Sequence, residues 1–355
     1  MIRSLTERGH DVVALAPECD SELTSRLRSR GARFIKLTIN RAGLSPIGDL
    51  RYTIRLARIL SNEKPDLLLS YNIKPVIFGS FAGRLAGVKH LATIVAGLGY
   101  AFSQPSSNKH RLVSSLTKLL YRNAISRHSL MIFQNNDDRT DLQKLKLLNP
   151  RTTTIVVGGS GVDTSWFTES TPSTTPVSFL LTARLISDKG IYEYYEAAKR
   201  ILASGRKAQF QLLGPFDSNP KGITENVVKK WKAEGIIQYL GELDDVRPAY
   251  NNCSVFVLPS YYREGCPRSS LEALSCGRPI ITTNSVGCRE TVIDGKNGFL
   301  ARPRSIEDIE QAMIRFIDDP SLIHRMGKAS RKLAVERFDV HTVNRRIIEA
   351  IEALP

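Results

Sequence analysis

The sequence has few of the features that place a protein in a membrane or outside the cell. No apolar run reaches the roughly 18–20 residues that span a bilayer. The longest, Leu91–Phe102, is interrupted by two glycines. The first residues contain no apolar core of a signal peptide. We therefore expect a cytoplasmic protein without a transmembrane segment.

Cysteines are equally scarce. The 355 residues include five, and no two of them form a C-x-x-C pair. An odd number without such a pair argues against a disulfide framework and against a zinc site. Hydrophobic residues make up 42% of the chain and charged residues 24%, which is typical of a globular protein and excludes a disordered or fibrous one.

Basic residues outnumber acidic ones by 15, and most of the excess lies in the first part of the chain. Residues 1–150 contain 23 basic and 11 acidic side chains, whereas residues 151–355 contain 27 and 24. This imbalance indicates an anionic partner: nucleic acid, an acidic lipid leaflet or a phosphorylated substrate. A merely solvated basic surface is the alternative. No recognition helix, aromatic platform or zinc motif supports nucleic-acid binding, so we expect no nucleic acid as partner.

Short, β-branched apolar runs alternate with longer amphipathic ones throughout the chain, which predicts βαβ units and parallel sheets. Two such sets meet near residues 160–176, which favours two doubly wound domains that face one another across a cleft. We expect an N-terminal domain over residues 1–162 and a second domain over 163–339, with a helix over 340–355 packing back on the first. Strands are expected at Val12–Ala16, Phe34–Ile39, Asp66–Tyr71, Leu91–Val95, Leu130–Phe133, Thr154–Val157, Ser178–Ala183, Gln209–Leu213, Ile236–Leu240, Val255–Leu258 and Pro279–Thr283.

The beginning of the sequence departs from this pattern. A doubly wound domain normally starts with a central strand and a glycine-bearing turn, whereas this chain opens in a helix-like segment, Ile2–Arg8. The pattern predicts that the first strand of the N-terminal domain is missing. Either the start codon is set too far downstream, or the chain is a relative that binds its ligand without turnover.

Two carboxylates stand out in the densest stretch of the second domain. Glu264 lies in the loop after the strand at Val255–Leu258, and Glu272 lies in the helix that follows. Ionised carboxylates only accept hydrogen bonds, so such a pair suits the recognition of sugar hydroxyls. The alternative is a helix that carries a glutamate near its N-terminus for electrostatic reasons.

Two cations follow the strand at Ser178–Ala183. Arg184 and Lys189 precede Gly190 and a predicted helix, and together with that helix N-terminus they suit a diphosphate. A solvated basic loop is the alternative. Glycines that allow a ligand close to the backbone follow other strands, at Gly214 and Gly241 in the second domain and at Gly97 and Gly99 in the first; Lys74 and Tyr100 stand near the latter pair.

These motifs resemble those of the retaining glycosyltransferases of family 4, over nearly the whole chain. The resemblance rests on the sequences around Gly161-Val162-Asp163, Arg184 with Lys189-Gly190, Glu264 with Glu272, and Gly277-Arg278-Pro279. It implies a GT-B fold, with two Rossmann-like domains facing a cleft. The segments Tyr262–Arg268, Gly287–Glu290 and Gly97–Tyr100 resemble a bacterial subgroup that adds a sugar to undecaprenyl-diphosphate-linked saccharides, such as the N-acetylgalactosaminyltransferases that act on lipid-linked bacillosamine.

The resemblance implies a role for each candidate residue. Arg184 and Lys189 would hold the donor diphosphate as leaving group, Glu272 would accept from the ribose, and Glu264 would bind the transferred sugar. On the donor side, the further positions are Gly214, Gly241, Glu242, Leu243, Gly265, Cys266 and Arg268. On the acceptor side, they are Lys74, Gly97, Gly99 and Tyr100.

The family needs no metal ion, and the sequence has no D-x-D motif, so no cofactor is expected. The expected donor substrate is a nucleotide sugar, UDP-linked. Two positions depart from the family. Pro267 stands where many relatives have glycine, with Arg268 as a compensating cation, and Ala96-Gly97 stand where many have a histidine. A sugar-nucleotide epimerase, which shares the two-domain architecture, is the rival enzyme, but it would lack the Glu264 and Glu272 arrangement.

One helical segment indicates a membrane contact. Residues Lys109–Arg127 place Leu112, Leu116, Leu119 and Leu120 on one stripe, with basic residues beside it. A basic amphipathic helix of this kind can lie on an anionic leaflet. The alternative is a helix packed on its own sheet. We expect a lipid-linked acceptor and contact with the inner face of the cytoplasmic membrane.

Overall fold

The computed structural model describes residues 1–17, 20–39, 45–99, 102 and 108–355, and for Lys109 and His110 it describes the backbone alone. The chain divides into two compact units, Met1–Val157 with Asn344–Pro355, and Gly158–Val343. The strands are β1 Val12–Ala16, β2 Ala32–Lys36, β3 Leu67–Tyr71, β4 His90–Val95, β5 Leu130–Phe133, β6 Thr153–Val156, β7 Val177–Thr182, β8 Ala208–Leu213, β9 Gln238–Tyr239, β10 Val255–Leu258, β11 Ile280–Thr283 and β12 Gly298–Ala301. The helices are α1 Ile2–Glu7, α2 Ser21–Arg28, α3 Pro46–Glu63, α4 Ile73–Leu85, α5 Asn108–Ile125, α6 Asn136–Lys144, α7 Ile191–Ala203, α8 Glu225–Ala233, α9 Arg247–Asn252, α10 Arg268–Ser275, α11 Ile306–Asp318, α12 Ser321–Leu333 and α13 Val340–Glu352.

The second unit is built on a parallel sheet in the order β12-β11-β10-β7-β8-β9. Alternate residues of its central strands enter two different cores, as the period of a strand requires. Phe179 and Leu181 of β7 pack with α7 and α11 on one face, and Leu180 packs with α10 on the other. Helices therefore cover both faces, which makes this unit a doubly wound α/β domain.

The strand order of this sheet reverses between β7 and β10. From β7 the chain proceeds outward to β8 and β9, and it then returns to β10 on the opposite side of β7. Such a reversal opens a crevice at the carboxyl ends of the two strands, where ligands of open α/β sheets bind. The loops that follow β7 and β10 are those that carry Lys189 and Glu264.

The first unit contains two sheets among its described residues. Strands β3-β4-β5-β6 form a parallel sheet in that order, and β1 pairs in parallel with β2. The residues of β5 are all buried, whereas every residue of β1 is half-buried. The prediction that the chain opens in a helix is confirmed, because α1 precedes β1.

Helices α3, α4 and α5 lie side by side in the first unit. Phe78 of α4 packs against the core that α3 enters and also against the core that α5 enters. The strands from β3 to β5 follow one another in one direction, so right-handed crossovers place α4 and α5 on the same face of the sheet. At the end of the chain, Glu352 of α13 accepts a hydrogen bond from Arg8 at 2.6 Å, also within the first unit.

The predicted fold class, α/β with parallel sheets in two Rossmann-like domains, is confirmed. The strand prediction was wrong in three places. It placed the second strand at Phe34–Ile39 where β2 covers Ala32–Lys36, it gave Ile236–Leu240 where β9 covers only Gln238–Tyr239, and it missed β12. The missed strand has four residues and starts with glycine, so it offers neither the length nor the β-branched composition by which strands are recognised.

Candidate active site

A tight turn connects β7 to α7 and positions Lys189. The residues Ser187–Lys189 form one turn of 3-10 helix, and Gly190 follows in a left-handed conformation with φ of +76°. A Cβ atom at Gly190 would lie 2.2 Å from the carbonyl oxygen of Pro259, which follows β10. Only glycine allows this close approach, and it brings the loops after β7 and β10 into contact.

Lys189 and Glu264 form an ion pair across these two loops. The Nζ atom of Lys189 donates to Oε1 of Glu264, and each side chain is 13% exposed. Ser260, fully buried, lies beside the pair, and its Oγ is 3.1 Å from the same Oε1. A buried hydroxyl in this place fixes the orientation of the carboxylate.

Backbone hydrogen bonds hold the loop that carries Glu264 against the loop that carries Lys189. The amides of Tyr261 and Tyr262 both donate to the carbonyl oxygen of Asp188, at 3.0 Å each. The Nζ atom of Lys189 lies 5.5 Å from the centre of the Tyr262 ring, within range of a cation–π contact. The position of the lysine is therefore set by two loops together.

The second predicted cation, Arg184, has a different partner. Its Nη1 donates to Oδ2 of Asp217 at 2.6 Å, and the arginine is 57% exposed whereas the aspartate is 16% exposed. Asp217 follows Gly214 in the loop after β8, the strand beside β7. Arg184 thus points over the carboxyl end of β8, and Lys189 contacts the loop after β10.

Glu272 lies inside α10 and is 9% exposed. Its Oε2 accepts from the hydroxyl of Tyr250 at 3.0 Å, and its Oε1 accepts from Nε of Arg268 at 2.9 Å. Burial raises the pKa of the Glu272 carboxyl, and the charge of Arg268 opposes part of that shift. The structure therefore gives the two predicted carboxylates different surroundings: Glu264 contacts Lys189, whereas Glu272 contacts Arg268 and Tyr250.

The three residues that follow Glu264 are buried. Gly265 and Cys266 precede Pro267, which is the N-cap residue of α10. A Cβ atom at Gly287, in the loop after β11, would lie 2.6 Å from the carbonyl oxygens of Glu264 and Gly265. Burial raises the pKa of the Cys266 thiol, so this cysteine stays protonated and packs as an apolar side chain.

The remaining donor-side candidates lie after β8 and β9. Gly214 has φ of +141°, and a Cβ atom there would lie 1.9 Å from the carbonyl oxygen of Ala183, at the end of β7. Its amide donates to the carbonyl oxygen of Gly241 at 2.8 Å. Glu242 and Leu243 follow and are exposed. The structure thus brings Gly214 and Gly241 together beside the end of β7.

The acceptor-side candidates belong to the first unit. Lys74, in the first turn of α4, donates to Oδ1 of the buried Asp49 at 3.0 Å. Gly97 and Gly99 follow β4 and have positive φ angles, of 100° and 58°. Tyr100 lies outside the described residues. Because β3 and β4 are neighbours, Lys74 and the two glycines follow the carboxyl ends of adjacent strands.

Sequence reasoning missed four residues that contact the candidates: Ser260, Asp217, Tyr250 and Asp49. Ser260 had a usable signal, because it directly follows β10 and Pro259 at a carboxyl strand end. Asp217, Tyr250 and Asp49 had none, because their importance depends on which strands and helices are neighbours in the fold.

Neither a membrane span nor a metal centre is evident in the part of the chain that the structure describes. No helix there is both long and apolar enough to cross a bilayer. No group of three or more His, Cys, Asp or Glu side chains there is arranged to hold a metal ion. The metal independence inferred from the sequence stays a prediction.

Two family matches cover most of the chain. Residues 162–333 match the family described as Glycosyl transferases group 1, and residues 1–134 match the Glycosyl transferase 4-like domain. The first match contains the loops with Lys189 and Glu264, and the second contains most of the basic part of the chain.

Curated relatives match over much of their length. The chain is 27% identical to the N,N'-diacetylbacillosaminyl-diphospho-undecaprenol alpha-1,3-N-acetylgalactosaminyltransferase of Campylobacter jejuni, over 98% of this chain and 93% of that protein. It is 28% identical to the UDP-Gal:alpha-D-GlcNAc-diphosphoundecaprenol alpha-1,3-galactosyltransferase of Escherichia coli, over 84% of this chain and 78% of that protein.

Solved structures share the fold. The Anabaena protein HepE in complex with UDP and glucose superposes with a TM-score of 0.78 at 19% identity, over 99% of this chain and 95% of that chain. Sucrose-phosphate synthase from Thermosynechococcus elongatus superposes with a TM-score of 0.81 at 17% identity, over 99% and 91%. The two family matches lie one after the other along the chain: a glycosyl transferase 4-like domain comes first, and a domain of the glycosyl transferases group 1 follows. The protein therefore belongs to the GT-B glycosyltransferases.

Proposed function

We propose that the chain transfers a hexose or N-acetylhexosamine from a UDP-sugar to a saccharide linked to a polyprenyl diphosphate, with retention of configuration. The observation that carries the proposal is the Lys189–Glu264 pair, located where the strand order of the second unit reverses. This is where an open α/β sheet binds its ligand, and the pair supplies one group for a diphosphate and one for sugar hydroxyls. The two relatives named above act on diphospho-undecaprenol-linked saccharides, which supports this class of acceptor.

In this proposal the second unit binds the donor. Lys189 and Arg184 neutralise the charge that develops on the diphosphate as the bond between the sugar carbon C1 and the phosphate oxygen breaks. The acceptor hydroxyl attacks C1 from the same face, and its proton passes to the departing phosphate oxygen. Glu264 accepts hydrogen bonds from hydroxyls of the sugar, and Glu272 accepts from the ribose. The reaction therefore depends on charge stabilisation and positioning rather than on a covalent enzyme intermediate.

The first unit supplies the acceptor side. Lys74 and the glycines after β4 lie at the carboxyl ends of its strands, and the basic excess of residues 1–150 favours an anionic diphosphate-linked substrate. We place the reaction in the cytoplasm, at the inner face of the cytoplasmic membrane. No metal ion takes part in the proposed step.

Calorimetric titration with UDP, GDP and ADP tests the donor site. We expect binding selective for UDP, lost in Arg184→Ala. Arg206→Ala is the matched control, because Arg206 is also an arginine paired with an aspartate, Asp318, but it lies beyond the far end of α7. Equal affinity for the three nucleotides, or full UDP binding by Arg184→Ala, would contradict the assignment.

A further inference from the structure

Helix α3 exposes apolar side chains to solvent. Ile47 is 68% exposed, Leu50 60% and Ile54 41%. Their spacing of three and four residues places them on one side of the helix, and the opposite side packs into the core through Tyr52, Leu56 and Leu60. The exposed side is therefore a stripe, rather than scattered apolar residues of the kind that every protein surface has.

Helix α5 has a second stripe of the same kind. Leu112 is 72% exposed, Leu116 42% and Leu119 57%. Leu120, which the sequence pattern put on this stripe, packs instead against the core of the first unit. Both helices thus keep three large aliphatic side chains in water although each already has a buried side.

Helix α4 lies between the two and extends this surface. Phe78 and Phe81 of α4 are only half-buried, and Leu85, at its end, is 72% exposed. The three helices lie side by side, so their exposed aliphatic and arginine side chains form one surface. We call this surface the leucine–arginine face; it consists of Ile47, Leu50, Ile54, Leu85, Leu112, Leu116 and Leu119, with Arg51, Arg55, Arg58, Arg111 and Arg122.

The charges of this face have one sign. The three helices contain two acidic residues: Asp49 is buried and pairs with Lys74, and Glu63 is half-buried and pairs with Arg33. The five arginines of the face are exposed, and none of them forms an ion pair within the described residues. A neighbouring folded protein would need acidic groups placed to match each arginine, whereas an anionic lipid surface meets all of them without such a match.

We propose that the leucine–arginine face binds the anionic leaflet of a membrane, with the aliphatic side chains of α3 and α5 inserted at the headgroup level and the arginines on lipid phosphates. The inference rests on the proposed function in that a lipid-linked acceptor requires the enzyme at a membrane. It extends the single helix expected from the sequence to a surface of three helices. Two basic amphipathic helices held in one rigid layer bind more strongly than one, because the second inserts without a further loss of freedom.

Vesicle sedimentation tests the proposal. The full chain is incubated with vesicles of phosphatidylcholine alone and with vesicles that also contain phosphatidylglycerol, and we expect it to pellet with the second kind. Each arginine near an anionic surface contributes about fivefold to binding, so Arg51→Gln/Arg55→Gln/Arg58→Gln is expected to weaken it roughly a hundredfold. Leu50→Ser/Ile54→Ser and Leu112→Ser/Leu116→Ser should each lower the pelleted fraction.

The matched control removes the same charge from α2 and the turn that follows it, with Arg26→Gln/Arg28→Gln/Arg30→Gln. These arginines are exposed in the same unit, and α2 lies outside the three-helix layer. We expect this variant to pellet like the unmodified chain. Equal losses in the two triple variants would overturn the proposal, because binding would then follow net charge and not the face. Failure of the unmodified chain to pellet with anionic vesicles would also overturn it.

UDP titration of the same variants separates this inference from the proposed function. We expect all of them to bind UDP like the unmodified chain, because the changes lie outside the second unit. If the chain binds UDP and its sedimentation with anionic vesicles is unchanged by the substitutions in the leucine–arginine face, the inference alone is refuted. Sedimentation that depends on the face, without UDP binding, would refute the proposed donor and leave the membrane surface standing.

Discussion

Replacing Lys189 by methionine is expected to abolish sugar transfer and also to destabilise the second unit. The lysine is the ion-pair partner of Glu264, and both side chains are 13% exposed. Removing one partner of a buried pair costs about 3–5 kcal/mol, because the other charge stays desolvated. The hydroxyl of Ser260 remains near Oε1 of Glu264, so we expect a loss at the lower end, about 3 kcal/mol.

The double variant Lys189→Met/Glu264→Gln separates stability from catalysis. It removes both charges, so its free energy of unfolding should return to within about 1 kcal/mol of the unmodified chain. Its transfer rate should not recover. Losing a charge that stabilises the departing diphosphate raises the barrier by roughly 2–4 kcal/mol, which lowers kcat/KM by about 30-fold to 1,000-fold.

Urea unfolding and a transfer assay with a lipid-linked acceptor measure the two quantities on the same preparations. The reasoning about the pair fails if Lys189→Met is as stable as the unmodified chain. The reasoning about the site fails if either variant transfers sugar at a near-normal rate. Stability restored in the double variant without activity is the expected combination.

Three further changes test other parts of the structure. Gly214→Ala should lower the free energy of unfolding by on the order of 3 kcal/mol, because the new Cβ would overlap the carbonyl oxygen of Ala183. Gly241→Ala is the control, and it should cost about 1 kcal/mol, because Gly241 has a positive φ but open space around it. Equal losses in the two variants would contradict the overlap. Tyr250→Phe removes a hydrogen bond to the Glu272 carboxylate and should lower UDP affinity roughly tenfold by calorimetry; unchanged affinity would remove Glu272 from the proposed site. Burial lowers the pKa of His128 to about 4. Between pH 6.5 and 4, His128 is therefore protonated in the unfolded chain but neutral in the folded chain. The free energy of unfolding should be constant above pH 6.5 and fall by on the order of 3 kcal/mol as the pH is lowered to 4. In unfolding titrations, His128→Asn should reduce this dependence on pH, and an unchanged slope would contradict the assignment.

Local patterns in the sequence were sufficient for the elements and the loops of the candidate site. The loop from Arg184 to Gly190 was recognised because a strand, two cations, a glycine and a helix follow one another within a short stretch. The prediction that Gly214 allows a close approach to its backbone needed only the position of a glycine at a strand end.

The partners of these residues could not be predicted in the same way. Arg184 pairs with Asp217 and Lys189 with Glu264, over 33 and 75 residues of sequence. Which carboxylate reaches which cation depends on β7 lying between β8 and β10, and no local pattern specifies that order. The exposed stripe of α3 escaped notice for a similar reason, because only the packing of the helix shows which of its apolar residues stay in water.

The separation of β1 and β2 from the four-stranded sheet has a consequence for local unfolding. Among the residues that the structure describes, β1 has one neighbouring strand and half-buried side chains to protect its backbone amides, whereas β4 and β5 lie between strands on both sides. Local opening of a segment requires less free energy when it breaks fewer contacts. Hydrogen–deuterium exchange should therefore reach Val12–Ala16 long before Leu130–Phe133, and we expect the first unit to open first at its two-stranded sheet.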